Sequence, residues 1–347
     1  MTIGVWGYLD EYDQEKEETH AAITSVLESG KLILGPHVTG FEEEYAAYCM
    51  AAYAVGVANG TDAITIGLRA LGISPGDEVI TVSNTAVPTV SAIVDAVAIP
   101  RFVDIHPDSY LMNVDLIEPL INQKTKCLLP VHLFGQCVDM DPLLALAKKH
   151  NLKVFEDCAQ AHGSRYKHHI AGSLGHASST SFYPTKILST YGDGGMVLTQ
   201  DENTKDHIRR LRFYGMDKQY FSIENGTNSR LDEIHAAILR NKLKHLPNYL
   251  KRRQQLAATY DEGLKNTALQ LPITYPDNIH SYYLYVVSHP NRDELLEQLL
   301  SYDISLNVSY KWPIHTMPPF KQYLFENQTL PHTEAAANRI FSLPMYP

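Results

Sequence analysis

Ser181-Phe182-Tyr183-Pro184-Thr185-Lys186 is the stretch on which the reading of this chain turns. A strand-like run carries a hydroxyl, and a lysine follows on a loop stiffened by Pro184. Upstream, Phe155-Glu156-Asp157-Cys158-Ala159-Gln160 reads as a buried strand closed by an acid. Downstream, Gly192-Asp193-Gly194-Gly195 reads as a tight turn. An acid, a serine, a lysine and a glycine turn, in that order, are the groups needed to hold pyridoxal 5′-phosphate (PLP). The amine of Lys186 bonds to the aldehyde carbon. The acid, Asp157, keeps the pyridine nitrogen protonated, so that the ring withdraws electrons. Ser181 and a helix N-terminus take the phosphate. A lone lysine is nearly always a surface charge, and it is the order of the whole set that singles out Lys186.

Working outward, Asn59-Gly60-Thr61-Asp62 lies between a strand and a helix. Gly60 allows close backbone approach, Thr61 offers a hydroxyl, and the first N–H groups of the helix point outward. That is a phosphate cradle. Read alone, the segment is more simply an N-capped helix start. Gln160, three residues after Asp157, has the reach for a ring hydroxyl; the plainer reading is a polar loop residue. Asn228, in Gly226-Thr227-Asn228-Ser229-Arg230, precedes a helix and suits an anion, or is a simple cap.

Composition narrows the class. Apolar residues are 44% and charged residues 20%, the balance of a globular protein with a large core. The formal net charge of -10 leaves no global basic surface for nucleic acid or anionic lipid. An anionic substrate must then meet a local cluster of arginine or lysine. Asp10, Glu11, Asp13, Glu15, Glu17 and Glu18 are the opposite of a basic leader, so no signal peptide is expected. No apolar run is long enough to span a bilayer. Cys49, Cys127, Cys137 and Cys158 form no C-x-x-C pair and read as reduced, mostly buried thiols of a cytoplasmic protein. His168-His169 has no spacing that aims both rings at one ion, and no metal is expected.

Apolar strands alternate with helical periodicity over the first two-thirds, which predicts an α/β fold with a mostly parallel central sheet. Strands are expected at Tyr53–Val57, Glu78–Val82, Arg101–Val103, Cys127–Val131, Val154–Glu156, Ser178–Phe182 and Met196–Thr199. Helices are expected at Glu15–Glu28, Asp62–Leu71, Pro88–Val97 and Asp141–His150. Beyond Asp201, the stretches Asp201–Phe213, Leu231–Leu243 and Pro247–Leu264 read as separate helices. Tyr282–Val287, Asp293–Leu300 and Ile304–Val308 read as a small α+β unit. The expected division is a large cofactor-binding domain over 1–246 and a small C-terminal domain over 247–347.

The motifs together resemble the DegT/DnrJ/EryC1/StrS family of PLP-dependent nucleotide-sugar aminotransferases, which have the aspartate-aminotransferase-like fold type I. The resemblance runs from about Ile33 to the C-terminus. Besides the segments already quoted, it rests on Pro75-Gly76-Asp77-Glu78-Val79-Ile80, Pro130-Val131-His132-Leu133-Phe134-Gly135-Gln136 and Ser229-Arg230-Leu231-Asp232-Glu233-Ile234. It implies that Lys186 forms the Schiff base and that Asp157 pairs with the ring nitrogen. It also implies that Gln160 meets the ring hydroxyl and that Gly60, Thr61 and Ser181 hold the phosphate. Asn228 is implied to reach the phosphate in the neighbouring subunit, in a homodimer with shared active sites.

The implied reaction is a ping-pong transfer of an amino group from L-glutamate to a nucleotide-linked keto sugar. Members that dehydrate sugars carry histidine in place of the lysine, so Lys186 favours amino transfer. Trp312-Pro313-Ile314-His315-Thr316-Met317 and the Val131–Gln136 run look closer to members that aminate C3 of dTDP-3-keto-6-deoxyhexoses. Tyr183, Tyr214, Tyr310 and His315 are the candidates for the sugar pocket, with core or interface packing as the alternative for each. Three departures stand out. Ile187-Leu188-Ser189 replaces the polar Asn and Gly usual after the lysine. Asn84-Thr85-Ala86-Val87-Pro88 offers no aromatic to stack on the ring. The chain ends at Met345-Tyr346-Pro347, where relatives usually add a helix. Two rivals remain: another PLP reaction on this fold, such as elimination, and a non-enzymatic sugar-sensing regulator.

Overall fold

The computed structural model describes residues 3–218 and 220–346; Pro347 lies outside them. Helices α1 (Tyr8–Ser29) and α2 (Pro36–Cys49) lead into β1 (Tyr53–Val57), α3 (Gly60–Ala70), β2 (Glu78–Val82), α4 (Val87–Asp95) and β3 (Ile99–Val103). Then come β4 (Thr125–Leu128), α5 (Met140–Lys149), β5 (Lys153–Asp157) and a short hairpin of β6 (Arg165–Tyr166) and β7 (His169–Ile170). Strands β8 (Ala177–Ser181) and β9 (Gly195–Thr199) flank the lysine loop. Helix α6 (Glu202–Leu211), the hairpin of β10 (Met216–Lys218) and β11 (Phe221–Ser222), and α7 (Glu233–Leu264) follow. The last part holds β12 (Asn278–Ile279), β13 (Tyr285–Ser288), α8 (Arg292–Leu300), α9 (Pro331–Arg339) and β14 (Ile340–Leu343).

Seven strands form one sheet in the order β1-β9-β8-β5-β4-β2-β3. Neighbours from β3 to β8 pair in parallel. Strand β9 runs antiparallel to both β8 and β1. The fold is α/β with a mostly parallel central sheet, as the alternation predicts. Every residue of β2, β8 and β9 is buried, because helices cover both faces. Their side chains differ in kind: β2 is Glu-Val-Ile-Thr-Val, whereas β8 is Ala-Ser-Ser-Thr-Ser. A run of buried hydroxyls in mid-sheet marks the strand that ends at the site.

Two helices depart from expectation. Leu231–Leu243 and Pro247–Leu264 are not separate: α7 is one helix of 32 residues with Pro247 inside it. The expected domain boundary therefore falls within a helix. An interior proline costs about 3 kcal/mol in lost hydrogen bonding and ring clash. Here α1 and α2 pack along α7, with Val26 against Ala237 and Ile238, and Phe41 in the cluster that holds Leu239 and Leu246. That burial outweighs the proline. Helix α2 has no counterpart in the sequence reading, although Val38, Phe41, Tyr45 and Cys49 recur at helical spacing and are all buried. Its start is held by Glu233, whose carboxylate accepts from the backbone N–H of His37 and Val38, both at 2.9 Å.

The acidic N-terminal run has a structural use. Buried Lys242 of α7 meets Glu11 at 2.5 Å and Glu15 at 3.2 Å, which ties α1 to the body of the molecule. The Ile304–Val308 run is not a strand. It makes only isolated bridges, Ile3 with Ile304 and Asn307 with Ser342, because no neighbouring strand follows it in register. In its place β14, which went unread, pairs antiparallel with β13. All four cysteines are free and buried. No helix among the described residues is long and apolar enough to cross a membrane.

Candidate active site

The ends of β5 and β8, the start of α3 and the loop before β9 converge at one edge of the sheet. They enclose a cavity of about 570 Å³ whose walls include Gly60, Thr61, Asp157, Gln160, Ser181, Tyr183 and Lys186. Seven of the residues singled out in the sequence thus face one space, as expected where parallel strands end.

The phosphate cradle is built by two glycines. Asn59 caps α3, its Oδ1 accepting from the Asp62 N–H at 2.8 Å. A Cβ on Gly60 would stand 2.7 Å from Ser181 Cβ, so only glycine lets the helix start approach that serine. Gly195, at the end of the glycine turn, is as tightly constrained: a Cβ there would stand 2.2 Å from the Asn59 carbonyl oxygen. The free N–H groups at the start of α3 and the Ser181 hydroxyl therefore sit side by side, a donor set for an anion.

Asp157 is 3% exposed. Its Oδ2 accepts from the Thr89 hydroxyl at 2.8 Å and its Oδ1 from the Ala159 N–H at 3.1 Å. The Thr89 oxygen in turn meets Thr85 Oγ1 at 2.8 Å. No lysine, arginine or histidine pairs with Asp157 among the described residues. A buried carboxylate without a cation is costly, so this one is built for a cationic partner at the cavity. Gln160 accepts from the Phe134 N–H at 2.9 Å and donates to the Tyr310 hydroxyl at 2.7 Å. Burial pushes the Tyr310 phenol well above its ordinary range. Lys186 is half-buried, and its Nζ stands 4.7 Å from the centre of the Tyr283 ring. Behind it, burial and then the charges of Lys186 and Arg253 push His162 down to about 3, so its ring is neutral. A glycine cradle, a buried acid lacking a cation and an amine facing one cavity fit PLP.

The model of the DegT/DnrJ/EryC1/StrS aminotransferase family matches residues 13–347. The chain belongs to this family. A dTDP-3-amino-3,4,6-trideoxy-alpha-D-glucose transaminase of Micromonospora megalomicea subsp. nigra is 49% identical, over 100% of this chain and 94% of that protein. The structure of S. venezuelae DesV in complex with a ketimine intermediate superposes with a TM-score of 0.97 at 41% identity, covering 100% of this chain and 94% of that one. NtdA from Bacillus subtilis with bound cofactor PMP gives a TM-score of 0.89 at 30% identity, over 96% of this chain and 78% of that one. The resemblance drawn from the motifs, the type I fold and the assignment as an aminotransferase are all met.

In this aminotransferase, some of the side chains singled out in the sequence do not line this cavity. His315 is not at the cavity. It is 4% exposed, with Nδ1 at 2.7 Å from Ser83 Oγ and Nε2 at 3.2 Å from Glu334. Its ring lies beside Phe102, between buried Ser83 and the exposed Glu334, which is a packing role. Tyr214 is also outside the cavity walls. It sits beside the β10–β11 hairpin in a left-handed conformation, φ 59°, with its ring beside Phe213 and Arg230. Asn228 bridges to Phe213 and is exposed, away from the cavity of its own chain. Tyr183 does line the cavity, and Tyr310 touches it through Gln160.

Other residues of the site went unread. Thr85 and Thr89 position Asp157, and Tyr283 faces Lys186. None carries a local signal, since Thr89 meets Asp157 and Tyr283 meets Lys186 across long stretches of chain, and Thr85 acts only through Thr89. The unusual Ile187-Leu188 after the lysine are both buried in the cluster with Phe41, Phe182 and Leu239. Apolar contact with α2 and α7 anchors the loop. One buried group invites a metal reading: His132, Glu156 and Cys158. Its hydrogen bonds are already closed. His132 Nδ1 accepts from the Val138 N–H at 3.1 Å and Nε2 faces Glu156 at 2.9 Å. Glu156 also accepts from the N–H groups of Gly172, Leu174 and Gly175.

Proposed function

We propose that this aminotransferase, working with PLP, moves an amino group from L-glutamate to a nucleotide-linked keto sugar, most specifically a dTDP-3-keto-6-deoxyhexose. The observation that carries the reading is Asp157, a buried carboxylate without a cation, facing the same cavity as Lys186 and the glycine cradle. The 49% identity with a dTDP-3-amino-3,4,6-trideoxy-alpha-D-glucose transaminase supports the sugar and nucleotide that the sequence motifs pointed to. The cofactor, when bound, supplies an electron sink for the carbon that loses a proton.

The chain's own residues do the rest. Gly60, Thr61 and Ser181 bind the phosphate. Asp157 holds a proton on the ring nitrogen, with Thr89 fixing the orientation of its carboxylate. Gln160, held by Phe134 and Tyr310, orients the ring hydroxyl. Lys186 would hold the cofactor and, as general base, would take the proton from the donor's Cα and deliver it within the same half-reaction; the second half-reaction would run the same transfer in reverse, ending with a proton on the sugar carbon that receives the amine. Tyr183 and Tyr310 remain candidates for the sugar. Tyr214 and His315 stand outside this chain's cavity, the latter held by Ser83 and Glu334. The division into 1–246 and 247–347 belongs to the same proposal, with α7 shared by both parts. Free, buried cysteines suit the reducing cytoplasm, where we place the protein.

The test is a direct assay with L-glutamate and a panel of dTDP- and UDP-linked 3-keto and 4-keto sugars. Formation of 2-oxoglutarate together with an amino sugar is the expected result. Ammonia release without an amino sugar would point to elimination instead.

Part of the proposal concerns assembly: the working unit is a homodimer in which Asn228 serves the partner's site. Its exposure on its own chain, next to Tyr214, supports this. Losing one hydrogen bond to a charged phosphate costs roughly 1.5–3 kcal/mol. Asn228→Ala is therefore expected to weaken PLP retention by about ten- to two-hundred-fold without unfolding the chain. Mixing Asn228→Ala with Lys186→Ala protein decides the matter. If the residues act in trans, a mixed dimer has one site with both lesions and one with neither, and activity returns. If they act in cis, each site carries one lesion and no such gain appears.

A further inference from the structure

Tyr283 arrives at Lys186 from the segment after β12, almost a hundred positions along the chain. Its ring centre lies 4.7 Å from Lys186 Nζ, well inside the range at which an ammonium is drawn to a π face. The ring is fixed from several sides. Its hydroxyl meets Thr185 Oγ1 at 3.2 Å. Its backbone carbonyl accepts from Arg253 Nη1 at 3.2 Å, and that of Tyr282 accepts from the same nitrogen at 3.1 Å. The side chain packs on the cluster that buries Ile187 and Leu188. Lys186 and Tyr283 are thus held by one patch of core.

Lys186 forms no ion pair among the described residues. Asp62, Asp157 and Asp193 line the same cavity. Tyr310 stands beside Gln160, and His162 and Arg253 lie behind the lysine. Of these groups, the Tyr283 ring is the one found in contact with the amine. A lysine stem is long and flexible, and its point charge can swing widely when released. We infer that Tyr283 is a positioning residue that receives the Lys186 amine whenever it is not bonded to the cofactor, keeping it at the cavity between half-reactions. This inference rests on the reading of Lys186 as the cofactor lysine.

The test uses the full chain stripped of cofactor. PLP is added at one fixed pH, the mixture is reduced with borohydride at a series of early times, and labelled lysines are quantified by mass spectrometry. Without the ring to hold the amine at the cavity, the rate of Lys186 labelling is expected to fall by about 2- to 30-fold in Tyr283→Leu, the range of one lost cation–π contact. Tyr283→Met, which also removes the ring, is expected to behave alike and covers the case in which the leucine variant does not fold. Tyr283→Phe keeps the π face and loses only the hydroxyl, so its rate should stay close to that of the wild type. A purely structural role would move all three variants together or none. An unchanged or faster rate in both ring-less variants overturns the inference, as does a phenylalanine loss as large as theirs. No label on wild-type Lys186 overturns the cofactor-lysine reading itself, and this inference with it.

Discussion

Replacing Lys186 by alanine is expected to give a folded protein that does not turn over. Two effects compete in that variant. The lost contact is with the Tyr283 ring, worth about 0.5–2 kcal/mol at a half-buried site. Nζ makes no hydrogen bond or ion pair among the described residues, so nothing is left unsatisfied when it goes. Removing the group that moves the proton costs about 10²–10⁴-fold in rate from that role alone, and the lost covalent anchor adds to it. Chemistry is therefore hit far harder than the fold. The melting temperature should fall by only a few degrees, since about 1 kcal/mol shifts it by roughly 2–4 °C in domains of this size. Two measurements check this together: a thermal melt, and borohydride labelling with PLP. Wild-type label on a different lysine, with Lys186 unmodified, would sink the assignment.

Asp157→Asn comes next in size. The side chain keeps its shape, and an amide oxygen can still accept from the Ala159 N–H while the amide nitrogen meets the Thr89 oxygen. The fold and the phosphate contacts should survive. What the amide lacks is the charge that keeps a proton on the ring nitrogen. A hydrogen bond to a charged group is worth about 1.5–3 kcal/mol, so kcat is expected to drop by about ten- to two-hundred-fold. The cofactor should be retained nearly as well as in the wild type. Asp157→Ala serves as the contrast: it also leaves the Thr89 hydroxyl without its acceptor and should lower stability as well. A wild-type rate in the asparagine variant would remove Asp157 from its assigned place.

The parts of the site that could be read in the sequence share a property. Gly60, Asp157, Ser181 and Lys186 each lie in a short segment whose chemistry is local: a glycine at a helix start, an acid closing an apolar strand, a hydroxyl and a lysine around a proline. Strand ends in a parallel sheet then gather those segments without further information. The parts that escaped are pairings of common residues over long distances in the chain. Thr89 looks like any helix threonine until it is seen beside Asp157. Tyr283 belongs to an aromatic run that reads as core. His315 looked chemical because an imidazole edge can contact a sugar, yet Ser83 and Glu334 claim both its nitrogens. Helix α2 was hidden by Gly35, Pro36 and Gly40, and α7 was cut in two because proline is read as a stop. In both helices, burial against the rest of the fold outweighed local preference.

The continuity of α7 has a consequence for how this chain can vary. Its first half carries Leu239 and Leu246 beneath the Lys186 loop, and its second half carries Arg253, which holds the carbonyls of Tyr282 and Tyr283. The helix acts as a ruler between the lysine and its aromatic neighbour. One residue inserted between Leu246 and Arg253 would advance the far half by about 1.5 Å and rotate it by about 100°. Arg253 would then face away from both carbonyls. Surface loops elsewhere in the chain can lengthen or shorten freely, whereas this stretch of α7 has a fixed length. Descendants of this sequence can exchange its exposed letters here, but not change their number.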